Sequence, residues 1–199
     1  YGLENRPVKV VEPYQKLGAV DDDLKDVLGS DTTPLWNPTT MFGFDNVNWK
    51  EWRTPWGQEV LVPGEFNTTV DTNGDLLIYP EGDLSVPASG RMPVGGDFFD
   101  TIIRQEPLDE SALDPEDNLE EFQPVKESTL SYLKAEAERL KDSGRFVFGN
   151  FGGTGLGDIA LVPGPFMKHP KGIRDVAEWY ISTASRQDSR GDNVGHGER

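Results

Sequence analysis

Residues 145–166 read RFVFGNFGGTGLGDIALVPGPF, and this stretch decides the predicted fold. Its apolar start, Phe146 to Phe148, follows a Ser143-Gly144 breaker and predicts a short buried strand. A glycine-rich loop from Asn150 to Asp158 comes next, and helical patterns flank the whole stretch. Strands that alternate with helices are typical of α/β proteins, which bind ligands beyond the carboxyl ends of their strands. The loop is therefore predicted to form a ligand site, although a tight strand-to-helix turn would use the same glycines.

The composition is that of a globular protein with a strong negative charge. Of 199 residues, 35% are hydrophobic and 27% are charged, a balance that predicts a packed core, and the formal net charge is −16. Nucleic acid and membrane surfaces are therefore not expected as partners. The chain contains no cysteine, so its own residues supply no disulfide and no thiolate zinc site. Since no apolar run has the length of a membrane helix, we expect a cytoplasmic location.

Hydrophobic periodicity predicts strands and helices in alternation, with one interruption. The predicted elements are strands at 8–11, 32–36 and 146–148 and helices at 14–28, 125–142 and 175–186. Residues 57–80 instead predict an antiparallel meander, because Asp71-Thr72-Asn73-Gly74 is a typical hairpin turn. We interpret this meander as a β insertion, at about residues 50–85, in an α/β domain of residues 1–188. The polar tail 189–199 is predicted to be disordered.

Several side chains between the predicted elements leave two interpretations open. The rings of Trp36, Trp49, Trp52 and Trp56 follow neither a strand nor a helix period, so they either cover a core edge or form a wall for a flat ligand. Arg91 and Arg104 either bind a carboxylate or phosphate or pair with a nearby acid. Asp31 is either a turn former or an inward-pointing acid, and His169 beside a proline indicates a structural role. The phosphate-binding, dinucleotide-binding and nucleophile-elbow motifs are absent from the sequence.

Beyond these patterns, the chain from about residue 1 to residue 188 resembles the uroporphyrinogen decarboxylase superfamily, most closely its decarboxylase-like and corrinoid-dependent methyltransferase branch. The residues that carry the resemblance are collinear blocks: 49–57 (WKEWRTPWG), 59–63 (EVLVP), 74–83 (GDLLIYPEGD), 89–93 (SGRMP), 95–100 (GGDFFD) and 150–172, which begins NFGG and ends HPKG. The superfamily implies a (β/α)8 barrel, which takes about 250 residues. The expected fold class is therefore α/β, a partial TIM-type barrel, and the chain is expected to be an N-terminal-half fragment.

The resemblance also implies roles for particular residues. Asp31 corresponds by position to the decarboxylase aspartate that pairs with pyrrole NH groups, and Asp158 is the second candidate catalytic residue. Asn150, Gly152 and Gly153 of the glycine-loop block are the candidate substrate-binding residues, and Arg91 is added to them because an arginine amid Pro and Gly can bind a carboxylate or phosphate. In the methyltransferase branch, zinc held by His and Cys activates a thiol, so zinc is expected only in a complete parent enzyme and no cofactor in this chain.

The expected function follows from these roles. The parent would act in tetrapyrrole decarboxylation or corrinoid-dependent methyl transfer, with a small tetrapyrrole or a corrinoid protein as its partner. This chain alone is expected to show no turnover and to self-associate through unpaired barrel edges. The alternatives are a non-catalytic ligand-binding module and an inactive truncated product.

Overall fold

The computed structural model describes residues 2–119, 124–149 and 162–185, which form short strands, three α-helices and three single 3-10 turns. The strands are β1 (Val8–Glu12), β2 (Leu17–Gly18), β3 (Thr32–Leu35), β4 (Lys50–Arg53), β5 (Glu59–Val62), β6 (Thr68–Val70), β7 (Leu76–Ile78), β8 (Gly90–Met92), β9 (Asp100–Thr101) and β10 (Phe146–Gly149). The helices are α1 (Asp22–Leu28), α2 (Glu127–Leu140) and α3 (Val176–Ser185), and the 3-10 turns are Pro80–Gly82, Glu110–Ala112 and Pro115–Asn118.

Local sequence signals explain several of these boundaries. Helix α1 ends at Gly29, which adopts the left-handed conformation with φ 66°. Helix α3 begins after Asp175, whose carboxylate accepts a hydrogen bond of 2.7 Å from the backbone N–H of Ala177. The β6–β7 hairpin turns at Gly74, with φ 88°, and the Asp71 carboxylate accepts the N–H of Asn73 at 2.8 Å. The sequence predictions of helices α2 and α3 and of this hairpin are confirmed.

The first sheet has the strand order β2-β1-β5-β4. Strands β1 and β5 are parallel, with Val8 beside Val60, whereas β4 and β5 form an antiparallel pair. In β5 the buried residues Val60 and Val62 alternate with the half-buried Leu61, so one face of the sheet is directed toward the core.

The second sheet has the order β6-β7-β8-β9, and every pair in it is antiparallel. Its buried face carries Ile78 and Met92, which pack with the buried Val10, Val60 and Val62 of the first sheet. The rings of Phe42, Phe44, Phe66 and Phe99 complete this core. Edge-to-face contacts join the rings, for example Phe42 and Phe99 with centroids 5.9 Å apart. Strands β1, β2 and β4 to β9, in two small sheets, therefore share one aromatic core, and we call these eight strands the β unit.

A third sheet shares no strand with the other two. Among the described residues it contains only the parallel pair β3 and β10. Helix α2 contacts β3. Strand β10 was predicted to be buried, and this is wrong, because the Phe146 side chain is 83% exposed and Phe148 is 68% exposed. Parallel strands are usually covered on both faces, so the exposure of β10 is unusual.

The predicted partial (β/α)8 barrel is also wrong for the described residues. A barrel would place the consecutive strands β1 and β3 side by side, but β1 pairs with β5 and β3 pairs with β10, in different sheets. Only these two pairs are parallel there, and the three helices are too few to cover a barrel. The chain shows small mixed and antiparallel sheets instead of one closed sheet.

The first half of the predicted helix 14–28 is not helical, and the reason is a local turn. Lys16 adopts a positive φ of 52°, and its N–H donates to the carbonyl of Pro13 in a tight turn. The turn reverses the chain, so that Leu17 and Gly18 pair with β1, and the helix begins only at Asp22.

No helix in the described ranges is both long enough and apolar enough to cross a membrane. The tail 189–199 lies outside those ranges.

Candidate functional site

The predicted site loop leaves the third sheet at the carboxyl end of β10. There Gly149 lies beside Leu35 in the parallel register. Asn150, Gly152, Gly153 and Asp158, which follow, lie outside the described residues, so their predicted roles stay predictions. Asp31 lies at the opposite end of the same strand pair, where its carbonyl accepts the N–H of Phe146 at 2.8 Å. Leu35 is four positions further along the strand, a distance of about 13 Å.

The residues around Asp31 connect neighbouring secondary-structure elements. Nε of Arg145 donates to the carbonyl of Ser30 at 3.0 Å, and its guanidinium forms an ion pair with Asp26. The Lys25 ammonium donates to the hydroxyl of the buried Thr33 at 3.0 Å. The Asp31 side chain itself is exposed. These contacts tie α1, β3 and β10 together and favour the turn-former interpretation of Asp31.

Arg91 lies on β8, between the buried residues Gly90 and Met92. Its side chain is 50% exposed, and Nη1 lies 3.8 Å from Oδ2 of Asp75. The other oxygen of Asp75 accepts the backbone N–H of Val94 at 2.9 Å. Arg91 therefore pairs with a nearby acid, which was one of the two interpretations of the sequence, although a long surface ion pair stabilises the fold little.

Arg104 binds backbone carbonyls. Its Nη1 donates to the carbonyl of Met167 and its Nη2 to that of Gly164, both at 2.6 Å. Arg174, only 2% exposed, donates to the carbonyls of Lys171 and Asp117. Burial, together with the charge of Arg174, lowers the pKa of Arg104 to about 10. The two guanidinium groups hold the segment 162–174 in place, and we call it the clamped segment.

The aromatic residues divide between core and surface. Phe42 and Phe44 are buried, and Trp52 packs against Phe66 with centroids 5.0 Å apart, as a core edge requires. Trp56 differs, because half of its side chain is exposed and its ring lies 5.4 Å from Nζ of Lys16. The core-edge interpretation therefore describes Trp52, but it does not describe Trp56 or Trp36, which is 37% exposed.

Lys16 is a candidate that sequence reasoning missed. Its Nζ lies 5.0 Å from the ring centroid of Phe99 and 6.0 Å from that of Phe98. It donates to Sδ of Met92 at 2.9 Å and to the carbonyl of Asp97. Desolvation by burial lowers the pKa of Lys16 to about 8, against an opposing effect of the Asp97 charge. Every residue that contacts Nζ of Lys16 lies at least 40 positions from Lys16 in the sequence, so no local sequence pattern indicates this cluster.

The residues present do not fit the zinc site that the methyltransferase branch implies. That site needs His and Cys ligands, but the chain has no cysteine and only two histidines. His169 is exposed, and His196 lies outside the described ranges. In those ranges no group of three or more His, Asp or Glu side chains is placed to hold a metal ion.

Comparison with known proteins adds no family assignment. No family model, curated protein or solved structure matches the chain. The resemblance to the uroporphyrinogen decarboxylase superfamily is therefore carried by the collinear sequence blocks alone.

Proposed function

We propose that the chain is part of an enzyme of the uroporphyrinogen decarboxylase superfamily, and that it helps to bind a corrinoid-linked methyl group or a tetrapyrrole. One observation carries the proposal: blocks that resemble the family and are far apart in sequence meet in space. Nζ of Lys168, in the last block, forms ion pairs with Glu81 at 2.9 Å and with Asp83 at 3.0 Å. Both acids lie in the block at residues 74–83, so these ion pairs join two of the blocks that carry the resemblance.

The residues of these blocks act mainly in packing. A Cβ at Gly82 would lie 2.1 Å from the carbonyl oxygen of Glu65, and a Cβ at Gly90 would lie 2.7 Å from Cγ2 of Ile78. Met92, from the same block as Gly90, and Phe99, from a further block, belong to the aromatic core. In the part of the chain that the structure describes, these contacts support a scaffold role, and the chain alone is expected to catalyse no reaction.

Charge favours the corrinoid over the decarboxylase substrate. Uroporphyrinogen carries eight carboxylates, and a chain of net charge −16 repels such an anion. Arg91, the basic residue proposed to bind a carboxylate, is already paired with Asp75. A corrinoid ring with amide side chains meets no comparable repulsion.

The test is a titration of the full chain with methylcobalamin and, separately, with uroporphyrin, followed by tryptophan fluorescence and visible absorbance. We expect saturable binding of methylcobalamin, and weaker binding of uroporphyrin that improves when salt screens the repulsion. Tighter binding of uroporphyrin would assign the decarboxylase branch. Binding of neither macrocycle, with adenosine as the control for nonspecific stacking, would contradict the proposal.

A further inference from the structure

A second site, independent of the proposed function, lies where the turn after β1 meets the loop between β8 and β9. It consists of Lys16, Trp56, Met92, Phe98 and Phe99, with the carbonyl of Asp97, and we call it the Lys16 cluster. Three aromatic rings and a thioether surround one amine, and the amine is only half-buried.

The backbone fixes the lysine from both sides. The Pro13–Lys16 turn is closed by the hydrogen bond from the N–H of Lys16 to the carbonyl of Pro13. The N–H of Phe99 donates to the carbonyl of Tyr14 at 3.0 Å, which ties the turn to the second loop. The amine is therefore held between two anchored segments, and binding does not have to order a free side chain.

The contacts of Nζ leave room for nucleophilic chemistry. A neutral amine has two N–H bonds and one lone pair. Sδ of Met92 and the carbonyl of Asp97 accept the two N–H bonds, so the lone pair stays available. The lowered pKa, about 8, keeps a large fraction of the amine neutral near physiological pH. At pH 8 that fraction is about 100-fold larger than for an ordinary lysine of pKa about 10.4.

The exposed rings indicate what kind of ligand fits. Trp56 is 50% exposed and Phe98 is 57% exposed, so both present ring surface to solvent beside the amine. A flat aromatic group stacked on these rings would place a carbonyl substituent near Nζ. A strongly anionic ligand is disfavoured by the net charge.

We propose that the Lys16 cluster is a covalent binding site for neutral aromatic aldehydes, which react with Nζ of Lys16 to form a Schiff base. The lone pair attacks the aldehyde carbon, the C=O π electrons move to oxygen, and one proton passes from nitrogen to that oxygen to give a carbinolamine. The second N–H proton then leaves with the hydroxyl as water, and the nitrogen lone pair forms the C=N bond. One water leaves for each imine formed, and no oxidant or reductant takes part.

The experiment treats the full chain with benzaldehyde and sodium cyanoborohydride, which traps the imine as a benzylamine, and maps the label by peptide mass spectrometry. Lys9 is the internal control, because its Nζ also lies 5.4 Å from a tryptophan ring, that of Trp49, but its side chain is exposed. At pH 8 we expect Lys16 to be labelled at least about 10-fold faster than Lys9.

Two variants separate reactivity from structure. Lys16→Arg keeps a cation and its donors but removes the reactive amine, so the fast labelling should disappear while the melting temperature changes little. Trp56→Ala should reduce the preference for benzaldehyde over propionaldehyde, whereas Trp36→Ala, at the end of β3, should not. The proposal is overturned if folded wild-type protein labels Lys16 no faster than Lys9, or labels it rapidly only after unfolding in urea.

Discussion

At the scale of single residues, Gly82 is held directly against the backbone of Glu65. It has a φ of 72°, and a Cβ there would lie 2.1 Å from the carbonyl oxygen of Glu65. We expect Gly82→Ala to lower the free energy of unfolding by about 3 kcal/mol or more, because left-handed strain and a backbone clash add. Urea denaturation measures the loss.

Gly95 is the matched control for Gly82. Its φ is 77°, but nothing lies within 4 Å of a Cβ built on it. Gly95→Ala should therefore cost only the backbone strain, about 1 kcal/mol. Equal losses for the two variants would show that the close contact at Gly82 is not present in the protein.

The buried carboxyl group of Glu12 leads to a prediction of how the stability of the fold depends on pH. Its two carboxylate oxygens accept the N–H groups of Tyr14 and Met41, each at 3.0 Å, and burial raises its pKa above 4.5. The folded protein therefore binds this proton more tightly than the unfolded chain does. The contribution of Glu12 to stability should grow as pH falls through the folded pKa toward the unfolded one.

The comparison uses Glu12→Gln, which cannot titrate and offers only one oxygen to two N–H donors. The variant should be less stable than the wild type near neutral pH, because one buried N–H loses its acceptor. Urea denaturation from about pH 7 to about pH 4.5 should show the stability difference between wild type and variant widening as pH falls. A difference that narrows would contradict the raised pKa of Glu12.

At the scale of elements, the clamped segment depends on Arg104. Arg104→Met removes the two hydrogen bonds to Met167 and Gly164 and leaves both carbonyls without this donor. We expect a loss of about 2 kcal/mol and faster amide exchange within residues 162–174, measured by hydrogen-exchange mass spectrometry. Arg91→Met, which breaks only a long surface ion pair, should leave that exchange unchanged. Similar exchange in the two variants would contradict the clamp.

Strand β10 gives the prediction on self-association. Phe146 and Phe148 are exposed, and in the described ranges β10 pairs only with β3. An apolar strand with an open edge promotes association between copies. Light scattering should show association that increases with concentration and that Phe146→Ser with Phe148→Ser reduces. Val94→Ser, at an equally exposed apolar position in a loop, should not reduce it.

The same elements show what the sequence could and could not predict. The hairpin turn at residues 71–74 and helix α2 depend on signals a few residues apart, so their positions could be read directly. The partner of β1 is set by packing with β5, about 50 positions later, and no local pattern distinguishes that pairing from a βαβ unit with β3. The Lys16 cluster could not be predicted for the same reason, because its residues come from positions 16, 56 and 92–99.

At the scale of the whole molecule, the β unit explains why a barrel expectation failed although the predicted strands were largely present. The strands that a barrel would align in parallel, β1, β3 and β10, are divided between two sheets. The aromatic core formed by Phe42, Phe66 and Phe99 instead packs the sheet of β1 against the antiparallel sheet β6-β7-β8-β9. The blocks at residues 49–57, 59–63, 74–83, 89–93 and 95–100 contribute residues to this core, so their role in the described part of the chain is packing.

The most direct test of this account is the strand pairing in solution, measured by nuclear Overhauser contacts in isotope-labelled protein. The structure predicts backbone contacts between Val8 and Val60 and between Leu77 and Arg91. Contacts of both kinds would establish the β unit, with one mixed and one antiparallel sheet. Parallel contacts between residues 8–11 and 32–35, the pairing that a barrel requires, would contradict it.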